Sequence, residues 1–314
     1  MMINSMKNIT MVLVTVALFL MTVADYAIAS ERSQADKLAE IMARGRIIIA
    51  TNLEEPPRSE LVKGAKRSSD TKCPAGEYTS SEFTGFDIDV GKEIARRLGV
   101  EACFAAPEWG EIISGRWSDL WDIAIASVSI TSERMESLYF AQPYYSEPAV
   151  FYVHRDNAVF KHPADLSGKK ICACAGCVFE YYLDGTLTLP GQKIEYLVKD
   201  TEIAAYDSDS KCFGDLGVNA DAVLTSIYIG NQAISEGMAA KLLGEPVFYT
   251  YIAPAIDKKQ SKNPIAFIKK INEIIMQMHN DGTLSELAEK YFRLKTDVTA
   301  PAKDFGIHSL RQYD

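Results

Sequence analysis

Between residues 46 and 128, short apolar runs that fit strands alternate with stretches that read as helix, and this alternation constrains the fold more than any other feature. RIIIA (46–50) is a run with no polar residue after Arg46, as in a strand buried on both faces. FDIDVGKEIARRLG (86–99) places Ile88, Ile94 and Leu98 at helical spacing, offers Asp87 as a cap and stops at Gly99. VEACFAA (100–106) reads as a second strand, EWGEIISGRW (108–117) as a short helix and DIAIASV (122–128) as a third strand. The order β-α-β-α-β requires crossover connections, and hence a parallel sheet.

A second series follows. AVFYVH (149–154), KKICACA (169–175), KIEYLV (193–198) and DAVLTS (221–226) read as strands, with helices at 178–185 and 227–237. EPAVFYVH (147–154) resembles PVFYTYIAPAI (246–256) in composition, and the two read as paired connections between lobes. Residues 265–292 form amphipathic helix, with Phe267, Ile271, Ile274, Ile275 and Met278 on one face and a break at Asp281-Gly282. The polar stretch 54–82 reads as a long loop, a feature uncommon in compact domains unless functional or disordered. At 314 residues the chain is long enough for two domains.

Lys7 precedes the uncharged run Met11–Ala24, which is too short to span a bilayer and is followed by the small residues Ala27-Ile28-Ala29. Residues 1–29 therefore read as a cleaved secretory signal. Export places the six cysteines in an oxidising compartment, where Cys174-x-x-Cys177 reads as a structural disulfide or buried thiols rather than a redox or zinc motif. Six cysteines allow fifteen pairings, of which Cys73–Cys103 would pin the long loop. The net charge of −9 argues against nucleic acid or an anionic membrane as partner. The chain lacks G-x-S-x-G, H-E-x-x-H and a glycine-rich phosphate loop, and no cofactor is expected.

DIAIASVSITSERMESLYFAQPYY (122–145) runs from an apolar strand into Ser127, Ser129 and Thr131, and then reaches Arg134. Ligands of parallel sheets bind beyond the carboxyl ends of strands. Hydroxyls and a two-pronged guanidinium at such an end match a carboxylate, although Arg134 on a solvated first turn fits the residues equally well. Trp109 reads as core packing at a helix start, and Glu180 as a surface or capping residue. Asp87, Asp89 and Asp122 read as caps and turn residues, Tyr144, Tyr145, Tyr181 and Tyr182 as packing, and Trp117 and Trp121 as core.

GFDIDVGKEIARRLG, WDIAIASVSITSERMESLYFAQPYY, LSGKKICACAGCVFEYYL, DAVLTS and MHNDGTLSELAEKYF, in that order, resemble the bacterial extracellular solute-binding proteins of family 3. The resemblance implies a two-lobed α/β fold of the type II periplasmic-binding-protein kind: residues 30–148 with 250–314 in one lobe, 149–249 in the other, joined by two hinge strands. It implies a periplasmic monomer that captures a small carboxylate-bearing ligand, such as a polar amino acid, for an ABC permease at the inner membrane. Arg134 would grip the α-carboxylate, assisted by Ser129 and the backbone near Ser127, with Trp109 as wall. Three departures stand out. Glu55 replaces the usual aromatic cover, Cys177 stands where the second lobe usually offers a small hydroxyl, and Ser226 replaces the Asp that holds the ammonium. Glu55 would then be the remaining candidate for that charge, and a non-amino-acid anion stays open as ligand. The rival readings are a dehydratase of the cyclohexadienyl type, with Glu55 or Glu180 as general acid, and a receptor that presents its ligand to a sensor.

Overall fold

The computed structural model describes residues 36–293, 297–310 and 312. The expected signal segment lies outside them. In chain order the elements are α1 (Lys37–Arg44), β1 (Arg46–Ala50), β2 (Glu54–Glu55), β3 (Ser59–Leu61), β4 (Tyr78–Thr79), β5 (Phe83–Thr84), α2 (Phe86–Leu98), β6 (Glu101–Ala105), α3 (Trp109–Ser114), β7 (Ile123–Ala124), α4 (Arg134–Ser137) and β8 (Leu138–Phe140). Then follow β9 (Tyr145–His154), β10 (Lys170–Cys174), α5 (Val178–Leu183), β11 (Glu202–Tyr206), α6 (Asp209–Asp215), β12 (Ala222–Ser226), α7 (Ile227–Ser235), β13 (Ala240–Ile252), β14 (Ala255–Asp257), α8 (Ile265–Asn280), α9 (Thr283–Phe292) and α10 (Ala300–Lys303).

Two sheets form two lobes. The first has the order β4-β6-β1-β7-β14-β8, with β6, β1 and β7 parallel as the alternating pattern requires and β14 closing against β7 antiparallel. The second has the order β11-β10-β12-β9-β13. The chain passes from the first sheet to the second after β8 and returns after β13. The long strands β9 and β13 are antiparallel partners from Tyr145↔Ile252 to Ala240↔His154, with a register shift between Leu243 and Phe248. The paired connections read from composition are therefore one two-stranded ribbon that starts beside the first sheet and runs into the second. A small third sheet, β2-β3-β5, occupies part of the stretch expected to be a loop.

Each sheet is covered on both faces. On the first, Ile47, Ile49 and Phe104 pack under α2 and α8 with Phe86, Ile94, Phe267 and Ile271, while Ile48, Trp117, Trp121 and Phe140 fill the opposite face. Each such side chain taken from water contributes about 1.5–3 kcal/mol. On the second, Phe151, Ile171, Phe179 and Tyr182 line one face, and Tyr152, Phe213 and Ile229 the other. Disulfides join Cys73 to Cys103, Cys172 to Cys212 and Cys174 to Cys177. The first pins the 54–82 stretch to β6, as that candidate pairing required.

One buried ion cluster ties the amino end of the described chain to this frame. Asp122 is 2% exposed; its carboxylate accepts from the Ile48 N–H at 2.8 Å and from the Arg44 guanidinium, and lies 3.2 Å from the Lys37 ammonium. Asp122 is thus the anchor of α1 and β1, beyond the turn residue expected.

Two other expectations are corrected. Residues 193–198 form no strand; Leu197 N–H and the Tyr196 hydroxyl instead bond to the Tyr182 hydroxyl and the Leu187 carbonyl. Asp87 does not cap α2, whose N-cap is Gly85; it is buried inside the first turn.

The fit between α7 and β9 is close. A Cβ on Gly230 would lie 2.0 Å from the buried Tyr152 ring. Gly230→Ala is expected to destabilise by about 2–3 kcal/mol through overpacking, read as a lower urea midpoint at unchanged slope. Equal midpoints would contradict that packing.

Candidate functional site

The segment after β7 is built to turn sharply and stay rigid. Ser127 has φ +53°, a left-handed conformation uncommon for a residue with a side chain. Its hydroxyl donates to Asp87 Oδ2 at 2.7 Å and accepts from the Tyr145 hydroxyl at 2.8 Å, while the Tyr144 hydroxyl donates to Asp87 Oδ1 at 2.8 Å. Burial pushes the Asp87 carboxyl up to about 6, against the hydrogen bonds that hold it down. Beyond the turn, residues 128–130 lie on β13: Ile130 N–H donates to the Tyr251 carbonyl at 3.0 Å, Ala253 N–H to the Val128 carbonyl at 3.1 Å, and the Ser129 and Thr250 hydroxyls meet at 3.3 Å.

Arg134 opens α4, with its N–H bonded to Thr131 Oγ1 at 3.1 Å. It does not lie on a solvated turn. It is 4% exposed, stacks at 5.2 Å on Trp109, and donates Nη1 to the Ser129 carbonyl at 3.1 Å and Nη2 to the Gly176 carbonyl at 2.9 Å. The last bond crosses from the first lobe to the second, as does Ser132 N–H to the Thr188 carbonyl at 3.1 Å. Burial lowers the guanidinium to about 10, so it is charged at neutral pH. Its Nε is buried without a partner, which leaves donor capacity on the fork.

Facing Arg134 across the cleft is the loop at the start of α5. Gly176 adopts φ +69° against Trp109 and Ile113, and its N–H donates to Glu180 Oε2 at 2.6 Å. Cys177 N–H points back to the Cys174 carbonyl at 3.3 Å. The disulfide fixes this loop, so Cys177 offers no thiol, and the N–H groups of 176 and 177 are already engaged. Glu180 is the loop-capping residue its sequence position indicated.

Arg134, Ser127, Ser129, Trp109, Glu55 and Cys177 line one cavity of about 480 Å³ between the lobes, a size suited to a small ligand. Ser226 needs correcting: it is fully buried, caps α7 by accepting from Tyr228 N–H at 3.2 Å, and is not part of the lining.

Two further lining residues escaped the sequence. Arg58, 5% exposed, lies 3.1 Å from Glu147 Oε1 and 3.1 Å from Glu55 Oε2. Burial alone would lower the Arg58 guanidinium; Glu55 and then Glu147 outweigh it and push it well above its ordinary range. Burial raises Glu147, which is 3% exposed, and Arg58 opposes that rise. The trio Glu55–Arg58–Glu147 carries one net negative charge, and Arg134 one positive charge, on the same cavity wall.

The sequence matches the family described as bacterial extracellular solute-binding proteins, family 3, over residues 68–294. It is 26% identical to the L-cystine-binding protein TcyJ of Escherichia coli (strain K12) over 89% of this chain and 94% of that one. It is 27% identical to the probable amino-acid-binding protein YxeM of Bacillus subtilis (strain 168), over 73% of this chain and 83% of that one. Among solved structures it resembles the ancestral amino acid-binding protein AncCDT-1, a precursor of cyclohexadienyl dehydratase, with TM-score 0.66 and 26% identity over 82% of this chain and all of that chain.

Proposed function

The chain belongs to the bacterial extracellular solute-binding proteins, family 3, and from that premise we propose that it is a periplasmic receptor of an ABC importer whose lobes close on a small carboxylate-bearing ligand, an amino acid. The observation that carries this reading is the buried, charged Arg134 on the cleft wall, its Nε unpartnered and its Nη2 already bridging to the second lobe. A carboxylate is the group that satisfies such a fork, and a charge-assisted pair strengthens as water leaves the closing cleft. The separation of charge along the wall supports a zwitterion. A ligand carboxylate neutralises Arg134, and a ligand ammonium neutralises the negative trio, with Glu147 rather than Ser226 as an acceptor.

To turn a mostly open population into a mostly closed one, the ligand must favour the closed form by about 5.5 kcal/mol. The closed shape would then dock on the permease. In the dehydratase reading, Glu55 or Glu180 is a general acid, and that acid must be protonated. Glu55 is paired with Arg58, and Glu180 accepts from the Gly176 N–H; both carboxyl groups are engaged in holding the cleft wall, which supports binding over catalysis.

Thermal melts of the purified chain against the twenty L-amino acids, L-cystine and their 2-oxo analogues provide the test. At a hundredfold excess over Kd, the best amino acid is expected to stabilise by about 2.7 kcal/mol, roughly 5 °C in melting temperature. Its 2-oxo analogue, lacking the ammonium, is expected to give little. A melting temperature unmoved by every compound would refute the reading.

A further inference from the structure

A second cavity of about 350 Å³ adjoins the Arg134 cavity, and the two share Glu54, Glu55 and Ser208. Its ionisable lining is Glu54, Glu55, Glu60, Asp209 and Glu236 against the single cation Lys63, and Phe213 and Ile229 give it an apolar wall. An acidic rim by itself is an ordinary solvated surface. Asp209 is different: it is 2% exposed, and neither carboxylate oxygen accepts a hydrogen bond. The Thr225 hydroxyl is near enough to hold the Asp209 carboxyl down, yet it misses hydrogen-bond distance and angle to either oxygen and has no other partner. Arg58, a buried cation whose charge reaches this carboxyl, is committed through its Nη atoms to Glu55 and Glu147. A buried carboxylate without a partner is costly, and a cation is the group that relieves it.

We propose that this cavity is a second subsite, centred on Asp209, for the cationic end of a ligand whose carboxylate lies at Arg134. The ligand class is then the basic amino acids, the apolar wall packing their methylene stem. The inference rests on the carboxylate-receptor reading and narrows it.

Burial, then repulsion from Glu55, pushes the Asp209 carboxyl up to about 7; Arg58 opposes the rise and Glu147 adds to it. A bound cation favours the ionised form, so it binds best above this pKa and competes with a proton below it. Glu54, Glu60 and Glu236, with Lys63 opposing, surround the same cavity.

Calorimetry on the full chain with two matched pairs tests the subsite: L-arginine against uncharged L-citrulline, and L-lysine against L-norleucine. At pH 8 at least one charged member is expected to bind about tenfold or more tighter than its neutral partner, with the ratio shrinking at pH 6. Asp209→Asn is expected to reduce the ratio to about threefold or less. This variant removes a buried unpaired charge and is expected to melt no lower than the parent; the pH series needs no variant. Neutral members binding as tightly as charged ones, an undiminished ratio in Asp209→Asn, or binding confined to other amino acids of the panel would each overturn the subsite and leave the Arg134 reading standing. Failure of every amino acid and 2-oxo acid to bind would remove both.

Discussion

Replacing Arg134 with alanine is expected to weaken binding of the best amino acid of the panel by about 30- to 4,000-fold. That range corresponds to the 2–5 kcal/mol lost when one member of a buried, hydrogen-bonded charge pair is truncated. Arg134→Lys keeps the charge and loses the planar fork, and is expected to fall between parent and alanine. The fold should persist. The guanidinium bonds two backbone carbonyls and stacks on one ring at the cleft wall, and it belongs to none of the four apolar clusters described. Ligand-free melting within a few degrees of the parent, together with loss of calorimetric heat, is the expected combination. Undiminished affinity in Arg134→Ala would remove the clamp.

The largest effect on stability should come from a residue remote from the cleft. Asp122 is the buried counter-ion of Lys37, which is 1% exposed, and also accepts from Arg44 and the Ile48 N–H. Asp122→Ala removes the buried counter-ion of Lys37 and the acceptor of the Ile48 N–H, leaving the ammonium the more exposed Glu40 at 3.4 Å and Asp119 at 3.8 Å, and is expected to cost about 3–5 kcal/mol, seen as a reduced urea midpoint. A Lys37→Met, Asp122→Ala double variant removes both buried charges and should recover part of that loss, because part of the penalty is a buried ammonium deprived of its buried counter-ion. Ligand affinity should be unchanged in both. Parent-like stability in Asp122→Ala would show that Glu40 and Asp119 suffice as counter-ions of Lys37.

How much of this was legible beforehand depends on contrast along the chain. Arg46–Ala50 stands out as an apolar run against charged neighbours, and β1 matches it residue for residue. Phe86–Leu98 and the pair Ile265–Asn280 and Thr283–Phe292 carry long helical periodicity with glycine at the breaks. Residues 193–198 show the alternation of a strand, yet Ile194, Tyr196 and Val198 satisfy it by packing on the second-lobe core without joining a ladder. The strands of the small third sheet have two or three residues each, too few to display a period.

The site follows the same logic. Arg134 was conspicuous as a charge beside an apolar strand. Glu147 carried an equal signal, being the one charged residue between Leu138 and Val153, where a buried acid calls for a partner. That partner, Arg58, lies far away in sequence, in a stretch that read as loop. Asp209 sits among other polar residues between Tyr206 and Asp215, and only the packing of α6 against the cleft distinguishes it. Ser226 stands at the family's position, but its hydroxyl accepts from Tyr228 N–H and bonds Glu147 from outside the cavity lining.

A crystal structure of the chain with the tightest amino acid of the panel addresses the role of Arg134 most directly. Both carboxylate oxygens of the ligand should lie within about 3 Å of the guanidinium nitrogens, with the ammonium turned toward Glu147 and Glu55. A ligand whose carboxylate is held elsewhere, with the guanidinium making no contact beyond the Ser129 and Gly176 carbonyls, would contradict it.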